Sequence, residues 1–288
     1  MQKSISRIGY GLLLYGICGF CFQMLYAAII PYFCGEHVIG EVWFTWCSMI
    51  VPVYMASFSI FLLYTRKYMP VPVTKLKMGV KELVMCVLIG AALCGIGLIA
   101  GSGIDYFLLP ADGTELDSLL LSSDICWRVL CVGIIAPVVE EIVFREYLIS
   151  FIAPYSEKTA VIASGVLFAL LHGNFTQFSY TLLLGMLWGY VYLRTRNIAY
   201  TIVLHMVFNL TTSIFTITIY QASKELYSVW CIILIVLGLL GGILMIKHRK
   251  RIYFNQMQDG RVSRCFWGSK GVVLYMSYCA AVFMMTYV

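Results

Sequence analysis

Charge is scarce in this chain. Only 12% of its 288 residues are Asp, Glu, Lys or Arg, about half the share of an ordinary soluble domain. That excludes a soluble globule of the usual kind. Apolar runs of about twenty residues recur instead, and the mean hydropathy is +0.88. Histidine is scarcer still, with four in all. No HExxH and no GxSxG occurs, and nothing places a Ser or Cys beside a His, so mechanisms built on a catalytic nucleophile are set low. No repeat, low-complexity tract or linker stands out. No clear cleavage site follows "MQKSISR" and the apolar run to about Ile30, which is too long for a cleaved signal core and reads as a retained first span. Eleven cysteines are present but scattered. Cys18 and Cys21 have CxxC spacing with no second pair to complete a zinc site, so the cysteines read as small apolar packing residues.

What is there is a set of nine candidate spans, at roughly 8–33, 43–65, 80–101, 127–151, 158–172, 175–193, 198–220, 228–247 and 270–287. The expected fold is all-α, a polytopic transmembrane helix bundle of about eight or nine spans. It divides into N-terminal transmembrane helices (1–120), a core (121–220), and C-terminal helices with a basic cytoplasmic loop (221–288). The connecting segments alternate in charge. Arg66, Lys67, Lys75, Lys77 and Lys81 fall in one, whereas Asp105, Asp112, Glu115, Asp117 and Asp124 fill the next without a cation. Arg194 with Arg196, and Lys247 with Arg249, Lys250 and Arg251, continue the alternation. The positive-inside rule then puts the N-terminus in the cytoplasm of an integral protein of the plasma membrane. The net charge of +6 sits at segment ends, where it sets topology and meets anionic lipid head groups; nucleic acid is not an expected partner. Arg128 is the exception on the cation-poor side, and beside Trp127 it can snorkel.

Against this background "APVVEEIVFREYL" is conspicuous, with Glu140, Glu141, Arg145 and Glu146 inside one span. A charge at mid-bilayer costs roughly 2.5–3.5 kcal/mol, so four unpaired would cost on the order of 10 kcal/mol. They must pair, face a cavity or reach the interface. Glu141 and Arg145 are spaced i, i+4 with the acid first, the better orientation for a helical ion pair. Glu146 lies near the end of the span. Glu140 has no partner in its own helix, and Pro137 kinks the helix three residues before it.

Two more polar clusters lie inside spans. "FALLH" sets Phe168 and His172 four apart, and "HMVFN" does the same with His205 and Asn209. A lone His in a span is usually a helix-helix hydrogen-bonding residue. Two His, an Asn and a Glu pair on three spans are harder to explain that way. A Glu and a His can activate water, and a second His with an Asn amide can hold an oxyanion. Two variants stay open: a metal-free site in which Glu140 and His172 polarise the water, and a zinc ion held by Glu140, His172 and His205 with one position open. A rise of ~1.5 Å per residue puts Glu140 about 15 Å, His205 about 11 Å and His172 about 21 Å from the cytoplasmic ends of their spans. Tilt, a kink, or a loop after Ala153 that dips inward would bring His172 to the level of the others.

These residues resemble the CPBP family, the CAAX proteases and bacteriocin-processing enzymes, also called the Abi family. Its pattern is EExxxR, FxxxH and HxxxN on separate membrane helices, here Glu140–Arg145, Phe168–His172 and His205–Asn209. Gly185 and Gly189 make a GxxxG in the run toward the last motif. The resemblance covers about residues 125–215. It implies an intramembrane endopeptidase in which Glu140 and His172 activate water, His205 and Asn209 form the oxyanion hole, and Glu141 and Arg145 support them. Relatives are described both as metalloproteases and as glutamate proteases. The implied substrate is a peptide or membrane protein, of CAAX type or of bacteriocin or leader-peptide type, cut near the cytoplasmic leaflet. The alternative is a non-proteolytic membrane scaffold or bacteriocin self-immunity protein. A proton-coupled transporter ranks below both, because no paired half-repeats are present.

Overall fold

The computed structural model describes residues 2–68, 74–108, 115–255 and 259–287. Asp112 of the acidic loop lies outside the described residues. Among the described residues every regular element is helical and no strand occurs. Eleven helical stretches follow one another. They are α1 (Gln2–Cys34), α2 (Val42–Thr65), α3 (Val80–Leu108), α4 (Glu115–Ser122) and α5 (125–152). Next come α6 (Glu157–Leu170), α7 (Phe175–Thr195), α8 (Ile198–Ala222), α9 (Lys224–His248), α10 (Asp259–Trp267) and α11 (Lys270–Tyr287).

The all-helical expectation is met, but the count of nine spans is not confirmed. Among the described residues, five helices are long and apolar enough to cross a membrane: α1, α2, α3, α8 and α9. The bent pair α10 and α11, at 58° to one another, would make a sixth. The physical reasons lie in the other three. The α5 stretch carries Arg128 and the four charges of the motif. At 14 residues, α6 reaches only about 21 Å against a hydrocarbon core of about 30 Å. Finally, α7 opens on the polar run Thr176, Gln177, Ser179, Tyr180 and Thr181.

Local chemistry explains where the helices start. Ser156, Asn174, Asn197 and Ser223 stand in extended conformation at the N-caps of α6 to α9, and each side chain accepts a backbone N–H of the first turn. The turn between α6 and α7 uses Gly173 at φ +73°, a conformation that favours glycine. In the turn before α6, Ala153 and Ser156 are buried and Pro154 and Tyr155 are exposed, and α10 packs on α6. Arg128, read as snorkelling, is instead buried, and its Nε and Nη1 make no hydrogen bond.

The helices form a single bundle. Helix α7 lies between α3 and α6, α9 packs on α3, and α11 packs on α1. The Gly185–Gly189 pair serves the α6–α7 contact. A Cβ on Gly185 would stand 3.1 Å from Gly165 Cα, and one on Gly189 would meet Ile149 and Val161. All eleven cysteines are free; Cys86, Cys94, Cys131 and Cys279 are buried.

Polar ties close the two ends of the bundle. At one end Asp105 accepts the Thr176 N–H at 2.7 Å and the Tyr287 hydroxyl. At the other, Leu76 N–H bonds Thr195 O, and Glu157 gathers Arg194 Nη2 at 2.7 Å with the backbone N–H and Nδ2 of Asn255. Partial burial alone would raise the Glu157 carboxyl, but the Asn255 and Arg194 contacts outweigh it and hold it below the ordinary carboxylate range. A carboxyl lowered in the folded state contributes stability above its unfolded value and loses it as the pH falls through the folded one. Asn255 amide exchange should therefore quicken in Glu157→Gln at neutral pH. In the wild type it should quicken as the pH drops through the acid range. Equal protection in the two proteins would show that the tie holds nothing.

Candidate active site

The site is built on α5. Glu141 Oε2 lies 3.2 Å from Arg145 Nε, one helical turn away, and neither side chain is exposed at all. The pair expected from the spacing is present. None of the three guanidinium nitrogens is in hydrogen-bonding geometry, so Arg145 is held by charge and by ring faces. Its guanidinium carbon stands 4.5 Å above the Phe168 ring and 5.6 Å from that of Trp188. Glu146 is half-buried and outside this network.

Glu141 also orients a histidine from α8. Its Oε1 takes a 3.0 Å hydrogen bond from His205 Nδ1, and the imidazole stacks on Trp188 with centroids 4.5 Å apart. A carboxylate accepts and does not donate, so Nδ1 carries the hydrogen. Nε2 is thereby aimed at Glu140, 3.7 Å from Oε2, near enough for charge attraction and too far for a hydrogen bond. The same reasoning applies to His172. Its Nδ1 lies 3.1 Å from Phe168 O, and a carbonyl can only accept, so Nδ1–H donates and Nε2 keeps its lone pair. Phe168 stands edge-on to both imidazoles, 4.9 Å from His172 and 5.7 Å from His205. Glu140, Glu141, Arg145, Phe168, His172 and His205 thus converge as the motifs suggested.

Asn209 is tied to the backbone of α5. Its Nδ2 donates to Val132 O at 2.9 Å, and the reason lies in the helix. Residues 129–135 of α5 are wound as a π-helix, and the Ala136 N–H reaches back five residues to Cys131 O. In that register Val132 O would accept from residue 137. That residue is Pro137, which has no N–H. Asn209 supplies the missing donor across the helix interface. Its amide carries a second N–H, and the Val132 bond settles which end of the amide is nitrogen. Three further π segments occur, at Ile50–Ser57, Ile142–Ile149 and Leu210–Phe215. One contains Arg145 and another begins just after Asn209. In the second, Ser164 Oγ donates to Phe144 O at 2.9 Å.

Sequence reasoning missed two site residues. Trp188, between Gly185 and Gly189, forms the floor under His205. Tyr54, on the π segment of α2, donates its hydroxyl to Glu140 Oε1 at 3.0 Å. A single tyrosine in "IVPVYMAS" carries no spacing signal that links it to a residue 86 positions away. Among the described residues, no three His, Cys, Asp or Glu side chains form a group that could hold a metal ion.

Comparison with known families agrees with this geometry. The family model of type II CAAX prenyl endopeptidase Rce1-like proteins matches residues 122–211, just under a third of the chain. The matched core is Rce1-like. All three motifs lie within it, which supports the CPBP resemblance and, at the level of the family, an intramembrane protease of CAAX type. No curated protein and no solved structure matches the chain. Tyr54 and the rest of α1 to α3 lie outside the Rce1-like segment.

The sharing of Val132 O can be checked by a double-mutant cycle. Asn209→Ala leaves a buried carbonyl unpaired, a loss of about 1–3 kcal/mol. Pro137→Ala restores an N–H at the position that would serve it. The double variant should recover part of the stability lost by Asn209→Ala alone, read as thermal unfolding in detergent. Additive losses would mean that the two residues do not share the carbonyl.

Proposed function

We propose that the protein is an endopeptidase that hydrolyses a CAAX-type substrate near the cytoplasmic leaflet, with water activated by Glu140 and His172 rather than by a metal. One observation carries the reading. His205 divides two adjacent buried carboxylates, bonding Glu141 through Nδ1 and turning Nε2 to Glu140, while His172 stands beside the same Phe168 ring with Nδ1 bonded to Phe168 O.

Glu140 takes a proton from a water molecule whose other hydrogen is held by His172 Nε2. The hydroxide oxygen bonds to the carbonyl carbon of the substrate. Charge develops on the carbonyl oxygen, where His205 Nε2–H and the second Asn209 N–H donate to it. On collapse the C–N bond breaks and Glu140 returns the proton to the amine. One water is consumed, and the remaining water hydrogen passes from the new carboxyl to the amine, so a carboxylate and an ammonium leave. Glu141 and Arg145 hold His205 in place without touching substrate.

Topology supports the cytoplasmic assignment. Lys75, Lys77, Arg194 and Arg196 flank the Leu76–Thr195 tie, so the cations gather at one end of the bundle. In this reading that end, and the N-terminus with it, faces the cytoplasm of a plasma-membrane protein.

The test is cleavage of prenylated CAAX peptides and unprenylated peptides by purified protein in lipid. Glu140→Ala and His172→Ala should each lose about 100- to 10,000-fold in kcat/KM while remaining folded. A folded wild type that cuts nothing would favour a partner-binding or immunity role. A separate measurement decides the metal question. Activity in chelator-treated, metal-free protein should equal that of untreated protein, and loss restored by zinc would overturn the metal-free mechanism.

A further inference from the structure

Glu140 has two carboxylate oxygens, and the mechanism needs one of them free toward water. The terminal torsion of a glutamate is broad and nearly two-fold, so an untethered carboxylate offers either oxygen in a range of directions. Here the oxygens are treated differently. Tyr54 donates its phenol O–H to Oε1, whereas Oε2 faces His205 Nε2.

The donor is held firmly. Trp46, Tyr54 and Phe61 recur every seven or eight residues along α2, two turns apart and so on one face. Trp46 Nε1 donates to Ser123 Oγ at 2.8 Å in the turn before α5, and the Phe61 ring meets that of Tyr147 with centroids 5.3 Å apart. The partners ascend in the same order, Ser123, Glu140, Tyr147, so α2 lies parallel against α5 with Tyr54 in the middle of the seam. Ser57 Oγ donates to Tyr15 O and fastens the same turn of α2 to α1.

We infer that Tyr54 is the positioning residue of the catalytic carboxylate: it fixes Oε1 so that Oε2 alone is presented to water, and it makes α2 part of the catalytic unit. The inference rests on Glu140 as general base and adds a contribution from outside the Rce1-like segment.

The experiment pairs a spectrum with kinetics. Infrared difference spectra of protein carrying ¹³C-labelled glutamate, wild type minus Glu140→Gln, isolate the Glu140 carboxylate bands. In Tyr54→Phe those bands should move, kcat should fall by about 10- to 100-fold, and KM should stay the same. Tyr220→Phe is the control. Its exposed ring packs on Tyr227 of α9 and not on Glu140, so both readouts should match wild type. Unmoved bands in Tyr54→Phe overturn the inference even if activity drops, because the tyrosine would then act only through packing. Wild-type kcat in Tyr54→Phe overturns it as well. A wild type that cleaves nothing defeats the protease reading, while the bands still decide whether Tyr54 holds Glu140, so the two failures remain distinct.

Discussion

The site depends on how one buried negative charge, that of Glu141, is balanced. With no water around it, the carboxylate needs a cation and donors within reach, and removing one partner of such a pair typically costs about 3–5 kcal/mol. Arg145 meets the charge from the same helix, and His205 meets the second oxygen from α8. The arrangement constrains everything near it. Arg145 is sandwiched by Phe168 and Trp188, the same Trp188 stacks on His205, and the same Phe168 stands against His172. The ion pair therefore packs against aromatic rings on two other helices, and those rings in turn touch both imidazoles.

The backbone near the site is irregular in a way that fits this role. Long helices in apolar surroundings must satisfy every carbonyl internally. A π turn together with a proline leaves one unsatisfied, and here Asn209 pairs with it. Ser164 Oγ likewise bonds Phe144 O within another π segment. Polar side chains thus link the core helices where their own ladders are interrupted, and Asn209 serves both the fold and the proposed oxyanion site with the two hydrogens of a single amide.

Burial also gives the site a direction. Glu140, Glu141, Arg145 and His205 are buried, whereas Tyr54, His172 and Asn209 are only partly so. The Glu141–Arg145 pair lies beneath, and Tyr54, His172 and Asn209 lie nearer the rim. Placing Tyr54 there brings the N-terminal helices to the edge of a core that the family description covers without them. A charged cluster with one accessible side suits hydrolysis, because a substrate can approach Glu140 without disturbing the pair that neutralises Glu141.

Much of this was legible in the residues. Spacing fixes which side chains share a helix face, so EExxxR announced the Glu141–Arg145 pair, and the i, i+4 placing of Phe168 with His172 announced their contact. Apolar runs in a nearly uncharged chain announced a helical membrane protein. The span count was not legible. Hydropathy along the chain marks 158–172 as a short run but does not reveal that α7 opens polar enough to fall below a spanning helix. Nor does local pattern reveal partners supplied across helix interfaces. Tyr54 reaches Glu140 because α2 runs parallel against α5, Asn209 turns to Val132 because the π register strands that carbonyl at Pro137, and Trp188 lies under His205 because glycines let α6 and α7 approach. Sequence by itself determined which groups could take part, since chemistry belongs to residue type and spacing. Tertiary structure decided which atom each group presents, since that depends on the other helices packed against it.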